Sequence, residues 1–172
     1  MTLPLNQFFQ AAWVVNDLEE AMHRWIKTVR VGPFFVMPHV EVTQTCYHGT
    51  PTAIDFSGAL AQSGPLQIEL IQQHSDTPSA YRDTFAPGQE GFHHMCSFVE
   101  DYDAEVENYR QQDAPLAFNG MSGDMRFAYV DTRATVGWMT EIIEDRQSIR
   151  DLFKMVADAA IDWDGTDPIR SR

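Results

Sequence analysis

The chain has 172 residues and a formal net charge of −13, with 44% hydrophobic and 12% aromatic residues. That length suits one compact domain with a core, and the composition is that of a folded chain rather than a disordered one. Its acidity, with Lys27 and Lys154 the only lysines, excludes nucleic acid as a partner through long-range repulsion.

No stretch approaches the length of a transmembrane helix, so no membrane partner is expected. The opening segment MTLPLNQFFQ has no basic stretch ahead of an apolar one, so no secretory signal is expected. Cys46 and Cys96 are too few for a disulfide framework and lack the CxxC spacing of a zinc or redox site. A cytoplasmic location is the expectation.

In chain order, residues 8–17, FFQAAWVVND, read as a short apolar strand ending on an acidic residue. Leu18, Met22, Trp25 and Ile26 then recur at helical spacing, with Asn16 and Glu19 expected as a capping pair. Further strands are expected near residues 34–42, 44–47 and 52–57, and GPLQIELIQ closes the unit. Residues 76–90, containing Pro78, Pro87 and Gly88, read as a polar connector.

The same order then recurs. Residues 92–101, FHHMCSFVED, align with residues 8–17 so that His94 falls on Gln10, Val99 on Val15 and Asp101 on Asp17. Asp101 can cap a second helix with Tyr102, Val106 and Tyr109 on its apolar stripe. Strands are expected near residues 116–119 and 125–130. GWMTEIIED ends this copy, with Glu141 matching Glu69. Ile149, Leu152, Phe153 and Val156 share one face of a C-terminal helix at about 146–162. The tail DWDGTDPIRSR is expected to fray unless Trp163 packs.

Four polar residues interrupt the apolar strands. Gln10 precedes AAWVV, Glu69 sits between Ile68 and Leu70, His94 precedes MCSFV, and Glu141 precedes two isoleucines. A polar group inside such a strand points into a shared cavity or costs stability. Two carboxylates with no lysine or arginine nearby in sequence need a counter-charge, and one divalent cation would serve both. Adjacent strand residues face opposite sides, so at most one of His93 and His94 is expected to enter the cavity.

The segments VVNDLEEAMHRW, GPLQIELIQ, GFHHMCSFVEDYD and RFAYVDTRATVGWMTEIIE resemble the vicinal oxygen chelate superfamily over about residues 7–145. That group includes glyoxalases, methylmalonyl-CoA epimerases, bleomycin-resistance proteins and extradiol dioxygenases, and the likeness is nearest to the glyoxalase and epimerase branch. It implies an α+β fold: two βαβββ modules forming a curved mixed sheet around a central cleft, plus the C-terminal helix. A single domain would then comprise module one at about 7–73, a connector at 74–90, module two at about 91–145 and the helix. Family metal ligands carried over by position fall on Gln10, Glu69, His94 and Glu141. Glutamine at the first position, where histidine is common, leaves one nitrogen and three oxygen donors. Such a set suits a six-coordinate ion, with zinc, manganese, cobalt, nickel and iron(II) all admitted.

The resemblance implies a metal-dependent isomerase, epimerase or lyase that stabilises the enolate of a small carbonyl substrate. Glu141 would be both ligand and base, with Glu69 second; Glu41 or His48 could supply a separate base. Phe34, Phe35, Phe118, Met121, Met125 and Phe127 are candidates for an apolar pocket, and Tyr81 and Arg82, which follow Ser79 in the connector, for contacts to a carboxylate or thioester. The alternatives are a metal-free binding protein of the bleomycin-resistance type and, disfavoured by Gln10, an extradiol dioxygenase. The resemblance also implies a homodimer, for which the C-terminal helix offers either a contact surface or a cover for its own sheet.

Overall fold

The computed structural model describes residues 7–171. Strand β1 (Phe8–Val14) leads into helix α1 (Leu18–Val29). Asp17 caps this helix, its carboxylate accepting from the Glu20 N–H at 2.8 Å. The expected pair of Asn16 and Glu19 does not form. Asn16 instead donates its backbone N–H to Glu90 and its side-chain amide to the Gly88 carbonyl, which ties the connector to the helix start.

Strands β2 (Phe34–Met37), β3 (Thr43–Tyr47), β4 (Thr50–Pro51), β5 (Phe56–Ser63) and β6 (Leu66–Gln73) follow. The strand expected over 34–42 stops at Met37, because Pro38 has no N–H to donate and His39 adopts a left-handed backbone with φ 45°. The strand expected over 52–57 begins only at Phe56; Thr52 still belongs to the preceding hairpin through its bond to the Thr45 carbonyl. The connector is not wholly irregular, since Ser79 caps a short helix α2 (Ala80–Thr84).

The second half comprises β7 (Gly91–Val99), α3 (Tyr102–Gln111), β8 (Leu116–Ser122), β9 (Met125–Val130), a short α4 (Arg133–Val136) and β10 (Met139–Glu144). Asp101 caps α3 by accepting from Ala104, as its position predicts. Helix α5 (Gln147–Ala160) and strand β11 (Ile169–Ser171) complete the chain.

Among the described residues eleven strands join one mixed sheet in the order β11-β2-β5-β6-β1-β7-β10-β9-β8-β3-β4. The two halves repeat: β1 runs parallel to β6 and β7 parallel to β10, while β1 and β7 meet antiparallel at the centre. Helix α1 packs its Leu18, Ala21 and Met22 on Ile68 and Leu70, and α3 packs Tyr102 on Ala128 and Ile142. The apolar face of α5 covers its own sheet, with Leu152 and Val156 against Phe35 and Leu60. Among the described residues no helix is long and apolar enough to cross a membrane.

Two elements depart from a simple repeat. The strand expected at 44–47 as part of the first module lies across the molecule, where β3 pairs with β8. Strand periodicity reveals which side chains share a face but not which strand lies alongside. The tail does not fray: β11 adds parallel to β2, and the Trp163 ring lies over Gly32. Together β11 and the β3–β4 hairpin cover what would otherwise be the free edges of β2 and β8.

Gly120 makes the β3–β8 approach feasible. A Cβ there would lie 2.8 Å from the Thr45 methyl and 3.1 Å from both the Thr43 carbonyl oxygen and the Phe127 ring. Gly120→Val should therefore destabilise the protein by roughly 1–3 kcal/mol through overpacking. A lower urea midpoint, with faster amide exchange concentrated in β3, is the expected result.

Candidate metal centre and cleft

Register at the centre of the sheet brings four distant residues together. Ala12 of β1 pairs with Glu69 of β6 on one side and with His94 of β7 on the other. Gln10 pairs with Cys96, which in turn pairs with Glu141 of β10. Side chains in register point to the same face, so Gln10, Glu69, His94 and Glu141 converge over the small Ala12 and Cys96. Glu69, His94 and Glu141 each offer a ligand atom within 4.8 Å of the other two. Gln10, Glu69 and Glu141 line the same cleft of about 680 Å³.

The orientation of His94 is set by a residue that strand alternation would send elsewhere. Pairing of β1 with β7 jumps from Ala12↔His94 to Trp13↔Phe92, a bulge that leaves His93 out of register. Both imidazoles are fully buried, with their Nδ1 atoms 2.9 Å apart. His93 Nε2 lies 2.9 Å from the Ala80 carbonyl, which can only accept, so this nitrogen carries the proton. Burial, with the adjacent charge of His94, lowers His93 to about 3 and keeps it neutral. Its Nδ1 is then an acceptor, and His94 must donate from Nδ1. The chain Ala80–His93–His94 thereby presents His94 Nε2 to the two carboxylates.

That nitrogen lies 3.1 Å from Glu141 and 3.6 Å from Glu69. It is buried, yet makes a well-aligned hydrogen bond to neither. Burial alone would lower the His94 pKa, but the charges of Glu141 and Glu69 overcome it and hold the group at about 9. Burial raises the Glu69 carboxyl, His94 opposes that rise, and Glu141 adds to it. One imidazole nitrogen without an aligned partner, facing two carboxylates in a buried pocket, fits a divalent cation of the kind that accepts nitrogen and oxygen donors. Gln10 also suits that role, because its amide nitrogen is donated to Gln67 at 2.7 Å, which reserves its oxygen as the free donor atom. Cys96 beneath the site stays a neutral thiol, pushed well up by burial and by Glu141.

The remaining sequence candidates separate. Met125 and Phe127 line the cleft, whereas Phe34, Phe35 and Phe118 are buried in core clusters and Met121 is not part of the wall. Glu41 lies on the wall of the cleft. His48 does not, and pairs with Asp83 at 2.9 Å. Ser79 is taken up by capping α2, and Tyr81 is buried with its hydroxyl 3.0 Å from that of Tyr129. Neither these two nor Arg82 forms part of the cleft. The residues that sequence reasoning missed are His93 and Gln67. The doubled histidine was visible, but the bulge that gives His93 its place was not; Gln67 shares the strand parity of Glu69.

The topology defines a class of protein: paired βαβββ modules whose first and last strands carry converging polar groups across a cleft. The family model for the Glyoxalase/Bleomycin resistance protein/Dioxygenase superfamily matches residues 9–129. The chain belongs to that superfamily. A hypothetical protein from Bacillus halodurans superposes with a TM-score of 0.56 at 12% identity, over 84% of this chain and 97% of the other. A methylmalonyl-CoA epimerase in complex with methylmalonyl-CoA and NH4+ gives 0.51 at 17%, over 84% and 97%. The methylmalonyl-CoA epimerase from Mycobacterium tuberculosis gives 0.51 at 13%, over 84% and 91%. These likenesses are of fold. A comparison with curated protein sequences gives no match.

His93 carries a pH signature. Its folded value of about 3 lies below the ordinary 6.5, so the unfolded chain binds a proton that the folded one refuses. The part of the stability that depends on His93 should be full above pH 6.5 and fall toward pH 3, by an amount on the order of 4 kcal/mol. Urea midpoints recorded across that range should show the loss, and His93→Gln should flatten it.

Proposed function

We propose that the protein is a metal-dependent enzyme acting through the enolate of a small, largely apolar carbonyl compound, as an isomerase, epimerase or lyase. The observation that carries this reading is the buried His94 Nε2, held between Glu69 and Glu141 without a well-aligned hydrogen bond. Gln10, Glu69, His94 and Glu141 would be the ligands. A bound divalent cation would supply positive charge opposite the oxygen that becomes anionic as a carbon-bound proton leaves.

The chain's own groups would do the rest. Glu141 faces the cleft and is the base that takes the proton and returns it. The cleft walls exclude water and bind the apolar part of the substrate through Leu60 of β5, Phe127 of β9 and Leu152 of α5. The carboxylates on the wall are Glu41, Glu69 and Glu141, and among the described residues no lysine or arginine lines it. A substrate bearing several phosphates would find no fixed counter-charge there. This favours a neutral carbonyl compound over a coenzyme A ester.

Elemental analysis of protein purified without added metal should find about one tightly held divalent ion at the centre, lost in His94→Ala. Protein that is folded yet refuses added metal at this centre would instead favour ligand sequestration without chemistry. Proton exchange at the carbon next to a substrate carbonyl, followed in deuterated water, should fall by about 100-fold or more in Glu141→Gln, the range of a lost general base. Loss in Glu41→Gln with retention in Glu141→Gln would move the base to Glu41.

A further inference from the structure

A second group of metal-binding side chains lies outside the central site. His39 follows β2, Asp55 precedes β5 and His74 follows β6, so the three stand together at one end of three strands that are consecutive in the sheet. Each offers a ligand atom within 4.8 Å of the other two. His39 Nδ1 is 2.7 Å from the Asp55 carboxylate, and the two imidazole rings lie 4.8 Å apart, tilted by 34°.

We propose that His39, Asp55 and His74 form a second divalent-metal site, of the kind that takes zinc. Two imidazoles and one carboxylate are the donor set of three-ligand zinc sites, which keep a fourth position open. The backbone positions this set rather than leaving it to chance. His74 donates its N–H to the Asp55 carbonyl at 2.8 Å, which locks the ends of β5 and β6. His39, in its left-handed conformation, donates its N–H to Ser57 Oγ at 2.9 Å, and the same oxygen lies 2.7 Å from His74 Nε2. Ser57 thus holds the His74 ring at Nε2, as an outer-shell partner does when it orients a metal-binding imidazole, and fixes the His39 backbone, while the His39 ring is oriented by Asp55. Tetrahedral donors lie about 3.3 Å apart at ordinary zinc distances, a contraction within the reach of exposed side chains.

The second cluster shares no ligand with the first, although its His39 also lies on the wall of the cleft. Along β6, Glu69 lines the cleft near the middle of the strand, whereas His74 follows its last residue, Gln73. The link between the two is the segment from Pro38 to Val42, which contains His39 and forms part of the cleft wall on its way to β3. An ion on His39 would anchor the start of that segment.

The test is zinc binding to the full chain after removal of metal by a chelator, counted by calorimetry and elemental analysis. The wild type should bind two equivalents. The double variant His39→Ala with His74→Ala should lose one and keep the equivalent that His94→Ala removes. Because His39 and His74 are exposed, this variant should fold, as circular dichroism would verify. If only one equivalent binds and the rim variant abolishes it, the rim site stands and the central reading fails. If zinc stoichiometry in the rim variant equals that of the wild type, the proposal is overturned.

Discussion

The antiparallel pairing of β1 with β7 joins the two halves of the molecule, and the register of that pairing decides everything in the cleft. Ala12 faces His94 and Gln10 faces Cys96, so small side chains occupy the crossing point and long polar ones surround it. The parallel neighbours β6 and β10 then bring Glu69 and Glu141 into the same rows. A slip of one residue would turn the carboxylates toward the helices. The side chains on that face could not then meet.

The electrostatics follow from this geometry. Two carboxylates are brought together beside a fully buried imidazole, a placement that is costly unless positive charge lies between them. Without a cation, the His94 imidazole provides it, and its pKa rises in response. Neighbouring His93 moves in the opposite direction, because burial and the charged ring of His94 outweigh its hydrogen bond to the Ala80 carbonyl. The two adjacent histidines thus divide into an orienting group and a presenting group, a division that depends on one bulge.

The walls of the cleft come partly from the strands of the repeat and partly from segments that the repeat does not contain. Helix α5 lies across β5 and contributes Leu152, and the segment after β2 passes toward the far edge of the sheet to form β3. These additions make the pocket apolar while its floor is polar. The helix face that sequence reading left open, as a subunit contact or a cover for its own sheet, is occupied by Phe35 and Leu60.

By itself the sequence determined the paired strand–helix units, the Asp101 cap, strand β9 and the helix at the C-terminus, because these rest on local spacing and side-chain chemistry. It also singled out Gln10, Glu69, His94 and Glu141, since a polar residue within an apolar strand stands out without knowledge of its neighbours. Only the tertiary structure decided that β3 pairs with β8, that β11 covers β2, and that Trp163 lies over Gly32. Those contacts join segments far apart in the chain, and periodicity carries no record of a partner. The same limit hid His93, whose role arises from a bulge in pairing, and the meeting of His39, Asp55 and His74, which no spacing in the sequence marks.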